Sequence, residues 1–159
     1  MKNQEVAKIL YEIANYLEMD EVAFKPYAYR RAAIGLESTE EDVDAIYKRG
    51  GIDALKQIPG VGEGIAKGIE EYLTTGKIRF LEQYKKRIPI NLEELISVEG
   101  MGPRKAKVLY QKLGIKNLKD LEKAAKSHKI SPLFGFGEKS EKNVSYLSKD
   151  EIQNLGYGL

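Results

Sequence analysis

Three stretches of the 159-residue chain repeat one arrangement of glycine and apolar residues that can do chemistry. They are Ile58-Pro-Gly-Val-Gly-Glu-Gly-Ile-Ala-Lys-Gly-Ile69, Val98-Glu-Gly-Met-Gly-Pro-Arg-Lys-Ala-Lys-Val-Leu109 and Leu133-Phe-Gly-Phe-Gly-Glu-Lys-Ser-Glu-Lys-Asn-Val144. Each runs apolar residue, any residue, Gly, apolar residue, Gly, then a helical period. An apolar residue returns nine places after the first Gly (Ile69, Leu109, Val144), and six places after it stand Ala66, Ala106 and, in the third copy, Glu141. The spacing predicts a short helix, a sharp corner, and a second helix beginning at the second glycine. Glycine at both corner positions (Gly60 and Gly62, Gly100 and Gly102, Gly135 and Gly137) tolerates positive φ and lets a ligand approach the backbone. The residue between them (Val61, Met101, Phe136) plugs into the helix pair. Successive backbone N–H groups then point out of a helix N-terminus, which is an anion site. Such a site holds a nucleic-acid phosphate without lysine or arginine and reads no bases.

Other chemistries are narrowed by composition. There is no Cys and one His (His128), which removes disulfides, thiolate nucleophiles and multi-His metal sites; His128 falls in a lysine-rich stretch and is expected to be exposed. No divalent catalytic metal is expected. Glu70-Glu71 and Glu93-Glu94 read as solvated helix faces and caps rather than an acid/base pair. No Walker A sequence is present, and a dinucleotide fingerprint at Gly60 fails because no strand precedes it and Ile65 stands in the last glycine position. The 26 Lys and Arg against 24 Asp and Glu give a net charge of +2. Residues 1–90 hold 14 basic and 15 acidic side chains, and residues 91–159 hold 12 and 9. That is a modest bias for a nucleic-acid partner, so the glycine corners must do much of the gripping.

Several cations are placed to help. Arg30 and Arg31 follow Tyr27 and Tyr29, a combination suited to a phosphate and a nearby unstacked base, or else surface arginines beside core tyrosines. Arg104, Lys105 and Lys107 lie in the first turns of the helix after the second corner. Positive charge there opposes the helix dipole by about 0.3–1 kcal/mol, which an adjacent anion would rationalise. Lys139 and Lys142 hold similar places in the third copy. Lys67 and Gly64 are counted with the DNA-contacting residues; the alternative readings are a solvated helix lysine at Lys67 and close helix packing at Gly64 and Gly68.

The elements that must position these groups read as all-α. Apolar residues Val6, Ile9, Leu10, Ile13, Tyr16 and Leu17 form a helical stripe over residues 3–19. Further helices are predicted over 26–36, with Pro26 in the first turn, and from a cap at Ser38 or Thr39 to Gly50-Gly51. Others cover 52–58 and 62–73, the latter ending near Gly76. Asn91-Leu-Glu-Glu94 and Asn117-Leu-Lys-Asp120 carry capping-box patterns that start two more. Arg87-Ile88-Pro89-Ile90 marks a boundary, giving domains at 1–86 and 90–147, with 148–159 as a short helix and frayed tail. No apolar run approaches the ~18 residues of a membrane span, and the N-terminus lacks a signal-peptide profile. A protein inside the cell is expected.

The repeats look like helix-hairpin-helix motifs, and their order resembles the N-terminal half of a family X DNA polymerase, the group that includes DNA polymerase beta. The resemblance covers most of the chain. It includes Ala28-Tyr-Arg-Arg-Ala-Ala33, Tyr72-Leu-Thr-Thr-Gly-Lys77 and Lys112-Leu-Gly-Ile-Lys-Asn-Leu-Lys-Asp-Leu121. Gly-Phe-Gly-Glu-Lys-Ser at 135–140 looks more like prokaryotic members. The resemblance implies a first domain that holds the 5′-phosphate of gapped DNA, with Lys25 and Tyr29 in its pocket, and a second domain that grips the duplex. It implies a Na⁺ or K⁺ ion at each hairpin, on the carbonyls of Lys56, Ile58 and Val61, then of Ile96, Val98 and Met101. Base excision repair alongside other repair proteins, a monomer, and a cytoplasmic, nucleoid-associated location are its further implications. The nucleotidyl-transfer domain of the family has no counterpart here, so this chain is not expected to polymerise nucleotides. The family's 5′-deoxyribose-phosphate lyase uses a Schiff-base lysine, and that position is Gly68. Its supporting lysine position is Gly64, and a third basic position is Phe80. A divergent lyase using another lysine, and a protein-interaction domain that has kept the fold, are the alternatives.

Overall fold

The computed structural model describes residues 1–130, which form eight helices and divide into two compact units, 1–87 and 88 onward. The third repeat, with Gly135, Gly137, Lys139 and Lys142, and the expected tail helix lie outside the described residues.

In unit 1, α1 (Asn3–Met19) lays Val6, Leu10, Ile13, Ala14 and Leu17 along α2 (Lys25–Ser38), whose Ala32, Ala33 and Leu36 are buried. Of the stripe predicted for α1, Val6, Leu10, Ile13, Tyr16 and Leu17 are buried and Ile9 is half-buried, with Ala7 and Ala14 buried beside them. α3 (Val43–Leu55) is kinked at Gly51 (φ 63°, ψ −147°), where the glycine pair is expected to end one helix begun from Ser38 or Thr39 and to precede another over 52–58. Its cap is the Asp42 carboxylate, which accepts from the Asp44 N–H, and not Ser38 or Thr39. Those two hydroxyls instead donate back to the Gly35 carbonyl and close α2. α4 (Glu63–Thr75) stops at Gly76 in the left-handed conformation (φ 83°). α5 (Arg79–Arg87), unassigned from sequence, is fastened to α1. The Tyr84 ring lies 5.3 Å from that of Tyr16, the Tyr84 hydroxyl donates to Asp20, and Lys85 pairs with Glu12.

One polar side chain organises the link from α2 to α3. Asn3 is 2% exposed; its Nδ2 donates to the carbonyls of Leu36, Thr39 and Glu41, while its Oδ1 accepts the Val43 N–H at 2.7 Å. It ties the backbone of this link to the start of α1 through three carbonyls and one N–H.

Among its described residues, unit 2 has α6 (Leu92–Ile96), α7 (Pro103–Leu113) and α8 (Leu118–Lys126) around Leu92, Leu95, Leu109, Ile115, Leu118 and Leu121. Asn91 caps α6 by accepting the Glu94 N–H, and Asn117 caps α8 by accepting the Asp120 N–H. The expected reciprocal half of the first capping box is absent. Glu94 is 4% exposed and turns to α8, accepting the Leu118 N–H at 2.6 Å and the Asn91 amide at 2.9 Å, while the Asn91 N–H goes to the Lys116 carbonyl. Burial pushes the Glu94 carboxyl above its ordinary value, against the pull of the Leu118 N–H. Glu94 is therefore a buried brace between α6 and α8 and not a solvated face.

Candidate nucleic-acid interface

The two described corners are built alike. In the first, the Val61 N–H donates to the Ile58 carbonyl at 3.0 Å, and in the second the Met101 N–H donates to Val98 at 3.0 Å. Gly60 has φ 85° and Gly100 φ 81°. Gly62 (φ −93°, ψ −176°) and Gly102 (φ −103°, ψ 174°) are the N-caps of α4 and α7. Val61 and Met101 are buried between their helices, as are Ala66, Ala106, Ile69 and Leu109.

The glycines of each pair serve different ends. Positive φ was expected at both, but only the first adopts it; the second has extended backbone open to any residue. A Cβ at Gly62 or Gly102 would meet no atom of the described residues within 4 Å, so neither conformation nor packing among them calls for glycine there. A Cβ at Gly60 would stand 2.8 Å from the Arg31 carbonyl oxygen, because the first corner rests on α2.

The consequence appears at the helix N-termini. Where α3, α6 and α8 begin, the side chains of Asp42, Asn91 and Asn117 occupy the first-turn amides. α4 and α7 begin at glycine with no side-chain cap, which leaves that position open to an outside anion. The corners differ in what surrounds them. α4 starts with Glu63, whereas α7 starts with Pro103, which lacks an N–H, so its first amide donor is Arg104. Arg104 is exposed, Lys105 and Lys107 are partly buried, and the Lys105 ammonium donates to the Gly100 carbonyl at 3.2 Å.

In unit 1, Lys25, Tyr29, Gly60, Gly62 and Gly64 converge on a cleft of about 560 Å³, completed by Leu17, Ala28, Ile65 and Phe80. Burial raises the Tyr29 phenol above its ordinary value, so at neutral pH it is a hydroxyl that can donate. α2 opens at this cleft with no side-chain cap and no acidic residue in its first turn. Leu17, Ala28 and Ile65 were missed because a helical apolar period does not distinguish a residue facing the core from one lining a cavity.

Other expected residues are placed elsewhere. Arg30 does not line the cleft; its guanidinium is held by Asn15 at 3.0 Å and Glu18 at 3.3 Å. Arg31 lies 5.8 Å from the Tyr27 ring centre. Lys67 is exposed on α4 and is not a lining residue. Gly64 and Gly68 are not sites of close packing: a Cβ would meet nothing at Gly64 and only the Ile78 Cδ1, at 4.0 Å, at Gly68. At the hairpins, the Ile58 carbonyl accepts the Val61 N–H and the Val98 carbonyl accepts the Met101 N–H. Among the described residues, no group of three or more His, Cys, Asp or Glu could hold a metal, and no helix is long and apolar enough to cross a membrane.

Residues 1–78 match the model of a helix-hairpin-helix domain, and residues 92–145 that of a SAM-like helix-hairpin-helix tandem. The chain is 32% identical over 145 residues to the DNA polymerase/3′-5′ exonuclease PolX of Bacillus subtilis (strain 168), an alignment covering 91% of this chain and 24% of that protein. The chain belongs to the N-terminal portion of the family X DNA polymerases. It is also 27% identical over 121 residues to DNA polymerase lambda of Arabidopsis thaliana, covering 76% of this chain and 22% of that one. It thus spans about a quarter of each relative. Within this family X chain, the positions expected to carry the lyase amine and its support, Gly68 and Gly64, have no side chain, and the third basic position is the cleft-lining Phe80.

Proposed function

We propose that the chain binds DNA at gaps and nicks without reading sequence. The phosphodiester backbone rests on main-chain amides at the two glycine corners, and a 5′-phosphate enters the unit 1 cleft at Lys25 and Tyr29. The observation that carries this reading is the contrast in caps: α3, α6 and α8 fill their own anion positions, while α4 and α7 present glycine. Arg104, Lys105 and Lys107 add long-range attraction at the second corner, and a Na⁺ or K⁺ ion on the carbonyls of Lys56, Ile58 and Val61, or Ile96, Val98 and Met101, would bridge hairpin to phosphate.

A titration with gapped duplex tests it. The 5′-phosphorylated gap is expected to bind about tenfold tighter than the same gap ending in a hydroxyl, the scale of one charge-assisted hydrogen-bond set. Log K should fall with log salt by about 0.9 for each phosphate neutralised by a cationic side chain. Equal affinity with and without the phosphate overturns the cleft assignment.

One observation keeps a lyase in view: Lys25, not Lys67, is the lysine on the cleft. Its amine would condense with a sugar aldehyde, losing water to form a Schiff base. Borohydride would trap that adduct on an abasic 5′-deoxyribose-phosphate end, and its absence excludes this reading.

A further inference from the structure

We infer that the unit 1 cleft receives the sugar and base of the 5′-terminal nucleotide as well as its phosphate; this rests on the 5′-phosphate reading above. A volume of about 560 Å³ lies in the range that holds a whole small ligand, about 300–1,000 Å³, and exceeds what a phosphate group fills. The lining has a matching division of chemistry. Lys25, the Tyr29 hydroxyl and the glycine-corner backbone suit an anion. Leu17, Ala28, Ile65 and Phe80 have nothing to offer a phosphate, and they make an apolar wall suited to a flat ring.

Among the apolar lining residues, Phe80 is the large one left exposed. It is 42% exposed, and its ring meets Tyr84 edge-on with centres 5.2 Å apart. A base stacking on an aromatic side chain gains affinity whatever its identity, which agrees with binding that reads no sequence. Gly64 gives independent support. It sits inside α4, where glycine weakens a helix, yet a Cβ there would meet no atom. A larger residue would project into the cleft it lines, so the glycine is explained by the volume it preserves.

The test compares three gapped duplexes on the full chain: a 5′-phosphorylated nucleotide end, the same end with tetrahydrofuran in place of the nucleoside, and an unphosphorylated nucleotide end. Removing the base while keeping the phosphate is expected to weaken binding about tenfold. Phe80→Ala should weaken the base-bearing duplex by the same factor and leave the tetrahydrofuran duplex unchanged. Gly64→Leu, which the open space and helical backbone tolerate, should also abolish the difference, and it decides the matter if Phe80→Ala melts early. Two phosphorylated ends that bind alike, both tighter than the hydroxyl end, overturn this inference and leave the phosphate site standing. Loss of the phosphate preference itself removes the reading beneath it. A cleft that discriminates between the ends equally well after both replacements is not the base site.

Discussion

Gly60→Ala is expected to cost unit 1 about 3 kcal/mol or more, and Gly100→Ala only about 1–2 kcal/mol. Both residues sit at φ near 80°, so both changes incur the left-handed strain of a residue with a Cβ. They part on packing. At Gly60 the new carbon would press on the Arg31 carbonyl oxygen at 2.8 Å and its carbon at 2.9 Å, both helix backbone, while at Gly100 it would meet nothing among the described residues within 4 Å. α2 cannot retreat cheaply, because its other face is packed on α1. Thermal melts should show the difference as a fall several degrees larger for Gly60→Ala, at roughly 4–8 °C per kcal/mol for a domain of this size. Equal losses would mean that the first corner does not rest on α2.

Asn3→Asp should be as damaging, with a pH signature. The substitution keeps the acceptor for the Val43 N–H but replaces the amide that donates to the Leu36, Thr39 and Glu41 carbonyls with an acceptor. An uncompensated buried charge costs about 3–5 kcal/mol. Carbonyls facing the introduced carboxyl disfavour its charged form, so folding raises its pKa. Its protonated form is retained more readily by the folded chain, and the deficit is therefore smallest below the ordinary carboxylate value of about 4 and grows as pH rises through the raised one. The melting gap between variant and parent should be narrower near pH 4 than near pH 7; the same gap at both would place the side chain in solvent.

The helices and the hairpins were legible because their signals are local. The stripe over 3–19, the caps at Asn91 and Asn117 and the glycine stop at Gly76 each depend on residues within a turn or two. The misses are long-range. Asn3 reads as one polar residue at a chain start, and its importance lies in four backbone partners between Leu36 and Val43. Glu94 fits a local capping box, yet a donor 24 residues on draws it inward. Ser38 and Thr39 precede an apolar period and resemble caps, but a carbonyl behind them competes and Asp42 caps instead. The partners that hold Arg30, Asn15 and Glu18 on α1, are likewise distant in sequence and not visible from the tyrosines beside it. In the interface, the glycine pattern located both corners. It did not reveal that the second glycine of each pair is conformationally ordinary, because sequence does not distinguish a glycine that must bend from one that must stay out of the way.

That second glycine gives the sharpest test of the central claim, that main-chain amides at uncapped corners hold DNA phosphates. Gly62→Asn and Gly102→Asn would make α4 and α7 begin as α6 and α8 do, with an asparagine side chain on the first-turn amides and no change in net charge. Both backbones are extended and both positions open, so melting temperature should hold or rise slightly, since asparagine caps a helix better than glycine by a few tenths of a kcal/mol. Affinity for 5′-phosphorylated gapped DNA should fall about tenfold for each corner so filled. Folded variants that bind this DNA as tightly as the parent would contradict the account.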